Sequence, residues 1–175
     1  MTLQGWILIL LFVAVLIALT KPMGLWLHAV YEGRRTPFHV VLGPVERGFY
    51  RLSGIDPDRE QGWRAYAVHM LLFNVALLLL TYTVLRLQAG LPLNPRALAG
   101  QDPHLAFNTA VSFTTNTNWQ SYSGETLSNF SQMVGLVIHN FLSAATGIAL
   151  AFALFRGFAR RQAAGIGNFW ADVTR

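Results

Sequence analysis

A run of uncharged residues at positions 108–119, NTAVSFTTNTNW, lies between two long apolar stretches. A cation that enters a bilayer must exchange its water shell for other oxygens, and backbone carbonyls do this without fixing the ion by a full charge. Residues 114–118 supply such carbonyls, with hydroxyl and amide oxygens beside them. The run therefore favours a re-entrant loop that lines a path for a dehydrated cation such as K⁺. The alternative is a surface turn in which Asn and Thr side chains only satisfy the backbone.

The loop contains no glycine before Gly124, although consecutive carbonyls can face one axis only if some residues leave ordinary β geometry. Asparagine is the next most tolerant residue for positive φ. We therefore expect Asn116 and Asn118 to adopt positive φ where a channel filter would use glycine. Glu125 either concentrates cations at the mouth of the loop or complements the N-terminal dipole of the helix that follows.

The composition indicates a membrane protein. Of the 175 residues, 53% are hydrophobic and only 12% are charged, against about 25% charged in a soluble domain. Most of the apolar content is concentrated in three stretches, as is typical of membrane spans. The sequence has no cysteine, which excludes disulfides and thiolate metal sites. The net charge of +5 comes from basic residues that flank apolar segments, so we expect no nucleic-acid partner.

These patterns divide the chain into six segments. They are an N-terminal transmembrane helix at 1–22, a cytoplasmic connector at 23–62, a second transmembrane helix at 63–87, an extracytoplasmic segment at 88–126, a third transmembrane helix at 127–155 and a cytoplasmic tail at 156–175 leading toward a further span. A signal peptide is the competing reading of the first segment. It is disfavoured because the only lysine follows the apolar run instead of preceding it.

The segment 88–126 is predicted to contain a short pore helix at 103–113 and a filter loop at 114–118. Asp102 and Pro103 have the residue types of an N-cap and a first helical position. The helix would rise about 15 Å at 1.5 Å per residue, roughly half the hydrocarbon thickness, so it can enter the membrane but cannot cross it. An amphipathic surface helix is the alternative, but the residues after it carry no charge until Glu125.

The distribution of basic residues predicts the orientation. Seven lie in or next to the connector and four follow the third span, whereas only Arg86 and Arg96 lie on the opposite side. The positive-inside rule therefore makes the connector and the tail cytoplasmic, with the N-terminus and the loop mouth outside. The basic residues assigned to the cytoplasmic side are Lys21, Arg34, Arg35, Arg47, Arg51, Arg59, Arg64, Arg156, Arg160, Arg161 and Arg175.

Three histidines raise the alternative of a membrane enzyme, because an intramembrane ionisable residue is a functional candidate. His69, His104 and His139 have no carboxylate or second histidine at metal-ligand spacing, so this alternative is disfavoured. We expect His69 and His139 to make interhelical hydrogen bonds with groups such as Asn74 or Asn140. No catalytic residue and no metal site other than one for K⁺ is predicted.

Residues 106–126, AFNTAVSFTTNTNWQSYSGET, closely resemble the first pore-loop segment of the potassium-binding A subunit of the Kdp-type potassium-transporting ATPase. The same family is matched by three shorter stretches. They are QGWILI near the N-terminus with its exit at Lys21-Pro22, LPLNP at 91–95 and NFLSAA at 140–145.

This resemblance implies an all-α membrane protein with one N-terminal transmembrane helix and one helix, re-entrant pore loop, helix repeat of the potassium-channel-like superfamily. It implies a bacterial inner-membrane subunit that binds external K⁺ and passes it through an intramembrane tunnel to a P-type ATPase subunit, beside accessory subunits and lipid. K⁺ is the transported ion and no cofactor is expected. By position, the potassium-binding filter residues are Thr115, Asn116, Thr117 and Asn118, and the flanking residues are Thr114, Gln120 and Glu125.

The length of the chain departs from the family, whose members have ten spans and four pore loops. One extra helix and one repeat are present, so we expect an N-terminal portion that contributes about a quarter of a filter. No phosphate-cradling glycine loop is found, which assigns the energy source to a partner chain. The alternative is a homotetrameric cation channel built from four copies of this chain.

Overall fold

The structure is a computed structural model that describes residues 2–159 and 165–175, and within these ranges every regular element is helical. The expected all-α class is therefore confirmed. The chain forms two compact units, one formed by the chain up to Ile55 together with Arg175, the other by Asp56–Thr174. The helices are α1 (Leu3–Tyr31), α2 (His39–Ser53), α3 (Trp63–Leu87), α4 (Pro103–Thr114), α5 (Ile138–Ala159) and α6 (Phe169–Thr174), with a π-helical segment (Ser131–Val137) directly before α5.

Three helices are long and apolar enough to cross a membrane, as expected: Leu3–Tyr31, Trp63–Gly90 and Ser131–Ala159. The first helix continues past the expected end at residue 22 to Tyr31. The residues after Pro22 are mostly apolar, and a proline removes only one backbone N–H from the hydrogen bonds of the helix. The connector 23–62 accordingly contains the end of α1 and the whole of α2. Helix α3 has the predicted bounds 63–87.

The third long helix differs from the predicted range 127–155 at both ends. Leu127 and Ser128 are buried but precede the helix, and helical structure begins at residue 129 and continues to Ala159. The Ser128 hydroxyl accepts a hydrogen bond from the Ser131 N–H at 3.1 Å and so caps the helix start. The predicted tail residues Arg160 and Arg161 lie outside the described ranges, as does Met1.

The π-helical segment packs closely against α3. A Cβ added to Gly135 would lie 3.2 Å from the Val84 side chain. The Gly135 carbonyl lies 3.3 Å from the Thr81 hydroxyl. The two helices therefore approach closely at a point where glycine leaves room.

A fully buried glutamine joins the segments before and after the pore helix. The Gln88 amide nitrogen donates to the carbonyls of Ala99 at 2.5 Å and Thr126 at 3.0 Å. Its amide oxygen accepts from the Ser128 N–H at 3.1 Å and the Ser131 hydroxyl at 3.0 Å. All four hydrogen-bonding positions of the amide are therefore used.

A buried ion pair closes the opposite end of α5. Arg156 bonds both carboxylate oxygens of Asp172 in α6, at 2.7 and 3.0 Å, and the Tyr66 hydroxyl donates to the same carboxylate at 3.1 Å. The sequence indicated a basic flank of the third span at Arg156, yet its side chain is only 10% exposed. The short helix α6 folds back on α3, where Phe169 makes an edge contact with Tyr66 at 5.5 Å.

In the first unit, Arg175 lies on one flank of α2. Its guanidinium donates to the Glu46 carboxylate at 2.9 Å, and the Tyr50 hydroxyl donates to the same oxygen at 2.8 Å. Burial, reinforced by the adjacent Glu46, raises the pKa of Tyr50 above its usual range. Tyr50 therefore stays a neutral donor under all ordinary conditions.

We predict that Gln88→Glu destabilises the protein strongly. A buried carboxylate cannot donate to the Ala99 and Thr126 carbonyls, and the resulting unsatisfied groups cost about 3 kcal/mol. The expected result is a Tm about 5–10 °C lower in detergent. Gln4→Glu is the matched control, because Gln4 is exposed. Equal Tm values for the two variants would contradict the role of the Gln88 network.

Candidate ion-binding loop

The start of the pore helix α4 is fixed by the end of α3. The Gln101 N–H donates to the Leu85 carbonyl at 3.1 Å, and the Arg86 guanidinium donates to the Gln101 carbonyl. Gly100 lies so close to the Arg86 carbonyl that an added Cβ would clash with it. The Asp102 carboxylate then accepts from the His104 N–H at 2.9 Å, as expected of an N-cap.

Helix α4 runs over Pro103–Thr114, one residue beyond the predicted range 103–113. Its buried face joins the hydrophobic core of the second unit, where Ala106 and Phe113 pack with Leu85, Leu127 and Leu136. At 1.5 Å per residue the helix rises about 18 Å. The residues that follow its C-terminus therefore lie about half a hydrocarbon thickness from its start.

The loop at 114–118 folds back on the end of this helix. The Ser112 carbonyl lies within hydrogen-bonding distance of the Thr117 N–H at 3.1 Å, the Thr115 and Thr117 hydroxyls at 3.2 Å each and the Asn118 N–H at 3.4 Å. The Ser112 hydroxyl donates to the Trp119 carbonyl at 2.8 Å. The carbonyl and the hydroxyl of the buried Ser112 therefore both stabilise the turn.

Asn116 and Asn118 have positive φ, at 53° and 55°. The predicted conformation of these two residues is therefore confirmed. Asparagine tolerates this left-handed region better than most residues, because its short amide can bond locally. The two left-handed residues allow the chain to reverse over the helix end without glycine.

The N–H groups of residues 115–118 all point toward the last turn of α4. They donate to the carbonyls of Val111, Phe113 and Ser112 at 3.0–3.4 Å. In a planar trans peptide the carbonyl of the preceding residue points the opposite way. The carbonyls of residues 114–117 therefore face away from the helix, and no donor among the described residues bonds to them. The loop presents four consecutive free carbonyl oxygens on its open side.

The loop is held from behind by α5. The Asn118 amide donates to the Asn140 side-chain oxygen at 2.9 Å, and the Ser143 hydroxyl donates to the Asn116 amide oxygen at 3.4 Å. Because its amide oxygen faces Ser143, Asn116 offers the open side its backbone carbonyl. Helix α5 therefore contacts the loop through Asn140 and Ser143.

His139 joins three helices behind the loop. Its Nδ1 lies 2.6 Å from the Thr81 hydroxyl of α3, and its Nε2 lies 3.3 Å from the Thr114 hydroxyl of α4. Thr114 donates its hydroxyl proton to the Ala110 carbonyl at 2.8 Å, so its oxygen is free to accept. A neutral imidazole with hydrogen on Nε2 satisfies these contacts, donating to Thr114 and accepting from Thr81.

The interhelical role expected of His139 is confirmed, although its partners are threonines and not Asn74 or Asn140. Asn74 instead donates to the Met70 carbonyl within its own helix at 2.8 Å. His69 lies 2.9 Å from the Gln61 amide nitrogen, just before α3. No group of three His, Cys, Asp or Glu suited to a metal ion occurs in the ranges that the structure describes.

The predicted flanking residues lie on the exposed side of the loop. Gln120 donates to the Tyr122 hydroxyl at 2.9 Å. Glu125 is exposed and accepts a hydrogen bond from the Ser123 hydroxyl, which lowers the pKa of its carboxyl below the usual value, with a smaller contribution from Arg96. The side-chain cap of the third long helix is Ser128 and not Glu125.

The predicted site residues therefore fall into two groups. Thr115, Asn116, Thr117 and Asn118 form one exposed turn, with Gln120 and Glu125 following it, whereas Thr114 is half-buried against His139. The sequence did not identify the residues that hold this turn: Ser112, His139, Asn140 and Ser143. The available signal was their periodicity, since 139, 140 and 143 are polar positions on one face of an otherwise apolar helix.

Comparison with known proteins identifies the same family throughout. The family model described as the potassium-transporting ATPase A subunit matches residues 10–175. Relatives named as the potassium-transporting ATPase potassium-binding subunit are 56% identical in Mesorhizobium japonicum, 59% in Rhodospirillum centenum and 58% in Methylobacterium radiotolerans. Each alignment includes 100% of this chain and 31% of the relative, so the chain spans about a third of the length of these relatives. The chain belongs to the potassium-transporting ATPase A subunit family.

Proposed function

We propose that this chain is part of the potassium-binding and translocating subunit of a high-affinity, ATP-driven K⁺ import complex. The observation that supports this most directly is the row of free carbonyls at residues 114–117. K⁺ sheds its water readily to such oxygens, and an uncharged site releases the ion again. Residues 115–118 would form one filter segment, with Asn116 contacting the ion through its carbonyl oxygen.

The dipole of α4 reaches the ion indirectly in this proposal. The C-terminal carbonyls of a helix carry a partial negative charge. Here the carbonyls of Val111, Ser112 and Phe113 are occupied by N–H groups of the loop. Each of these hydrogen bonds aligns the next peptide group with the helix dipole, so the loop carbonyls extend the negative end of the helix toward the open side.

ATP hydrolysis would occur in a partner, the P-type catalytic subunit, with accessory subunits completing the complex. The relatives are named as subunits of an ATPase, which favours this assembly over a homotetrameric channel. In the proposed topology the N-terminus and the loop mouth face the outside of the bacterial inner membrane. Connector 23–62 and the C-terminal tail would face the cytoplasm, in line with their basic residues.

Replacing Asn116 tests whether the backbone conformation of the loop matters. Valine at a φ of 53° is strained by about 1–2 kcal/mol, so Asn116→Val should weaken K⁺ affinity about 5–30-fold. Asn116→Gly keeps the conformation and should retain most of the affinity. The measurement is K⁺ uptake by the intact complex at limiting external K⁺.

Thr117→Val is the control for the loss of a polar group without a change in φ, because Thr117 has ordinary backbone geometry. Its affinity should change by less than that of Asn116→Val. If the glycine and valine variants at position 116 were equally impaired, the positive φ would not be the property on which binding depends.

Asn116→Asp should also weaken K⁺ affinity or selectivity, because it adds a charge beside the ion path.

Gln120→Arg tests the position of the mouth. A positive charge beside the ion path should raise the K⁺ concentration needed for half-maximal uptake several-fold at low ionic strength, and the effect should shrink as salt is added. The neutral control Gln120→Met removes the bond to Tyr122 without adding charge. If the salt dependence of the arginine variant were unchanged, Gln120 would not lie beside the ion path.

His139→Leu tests how the loop is positioned from behind. The variant loses the hydrogen bonds to Thr81 and Thr114, each worth about 0.5–1.5 kcal/mol, so we expect about a tenfold loss of K⁺ affinity and weaker discrimination against Na⁺. Thr146→Val is the control on the same helix, since its hydroxyl bonds only to the Leu142 carbonyl. A fall in Tm with unchanged affinity and selectivity would assign His139 a purely structural role.

A further inference from the structure

Helix α2 carries a largely exposed apolar stripe. Its members recur every three or four residues along the helix, so they share one face. Their side chains are 47–91% exposed. The stripe consists of Phe38 at the N-cap followed by Val41, Leu42, Val45, Phe49 and Leu52.

Apart from a ring contact between Phe38 and Trp26, the contacts that attach α2 to its own unit use a different face. Glu46 and Tyr50 bond to each other, and Glu46 bonds to Arg175. At 100° per residue these two positions lie beside the stripe, and Arg47 and Arg51 lie opposite it. Beyond Phe38 the stripe is therefore left free by the packing of the helix, and the helix is amphipathic.

The depth of this helix relative to a membrane follows from α1. The uncharged stretch 3–20 rises about 27 Å, close to the hydrocarbon thickness of about 30 Å, and Lys21 follows it. Trp26 is six residues beyond Thr20, about 9 Å past the end of this stretch and at the level of the lipid headgroups, where tryptophan is enriched. Phe38 packs edge-on against Trp26 with ring centroids 6.2 Å apart. Helix α2 therefore begins in the headgroup layer.

The charge of this region matches an anionic surface. Arg34, Arg35, Arg47 and Arg51 are all exposed. The acidic residues of the same stretch are Glu32 and Glu46, and Glu46 is paired with Arg175. Arginines near a bilayer surface are attracted to anionic headgroups.

We propose that α2 is an interfacial helix that lies in the plane of the membrane, with its apolar stripe at the boundary between headgroups and acyl chains. The surface that the stripe binds is that of an anionic bilayer. The depth set by Trp26 and Phe38, the free stripe and the arginines opposite it together match the pattern of helices that bind membranes in this way. The interaction is independent of the K⁺ site.

Single nitroxide labels test this assignment, because the chain has no cysteine of its own. Val45→Cys and Leu52→Cys place a label on the stripe, and Arg47→Cys places a matched label on the opposite face. The labelled chain is studied in its assembled complex, in vesicles of phosphatidylcholine with about a third phosphatidylglycerol. Collision rates are measured with oxygen, which concentrates in lipid, and with a water-soluble nickel chelate.

We expect the labels at positions 45 and 52 to collide several-fold more with oxygen than with the nickel chelate, and the label at position 47 to show the reverse. Stripe labels accessible to nickel would put the helix in water and overturn the proposal. Stripe labels shielded from both reagents would show that another protein segment covers the stripe, which also overturns the proposal.

Arg34→Gln with Arg35→Gln should make the label depth at position 52 insensitive to phosphatidylglycerol. If the depth in that variant still responded to the anionic lipid, the electrostatic part of the proposal would be wrong.

Discussion

The loop that follows the pore helix depends on one constraint: its backbone N–H groups must be satisfied within the protein. The end of α4 meets this need, because its final carbonyls accept every N–H from residue 115 to residue 118. The geometry of a planar peptide then leaves the carbonyls of the loop facing outward. The same bonds that satisfy the donors therefore create the row of acceptors, and no charged side chain is needed to make the loop attractive to a cation.

A buried glutamine and a buried ion pair hold the two ends of the unit formed by α3, the loop and α5. Gln88 fastens the chain before α4 to the chain after the loop. At the other end, Arg156 and Asp172 fasten α5 to α6. Buried groups of this kind cost desolvation energy that only complete hydrogen bonding offsets. They favour a single arrangement of the helices. The loop has few apolar contacts of its own, so its position depends on that arrangement.

The sequence predicted the features that depend on local chemistry. The start of α4 follows from Asp102 and Pro103, the extent of α3 from its apolar run and the conformation of Asn116 from the scarcity of glycine. It did not predict the features that depend on neighbours distant in the chain. Arg156 is buried because Asp172 approaches it, and His139 contacts Thr81 and Thr114 through helix packing that no spacing rule specifies.

The π-helical segment Ser131–Val137 has a consequence for how this unit tolerates change. A π turn contains an extra residue compared with an α turn, and each residue rotates an α-helix by about 100°. The faces on either side of the segment are therefore set by residue count: Ser131 and Leu136 point toward one set of neighbours, and His139, Asn140 and Ser143 toward the loop. Loss of one residue in this stretch would restore a regular α-helix and rotate the supports of the loop away from it, even if every loop residue were unchanged. The loop therefore depends on the length of a segment that does not touch it, and substitutions there should be tolerated far better than deletions.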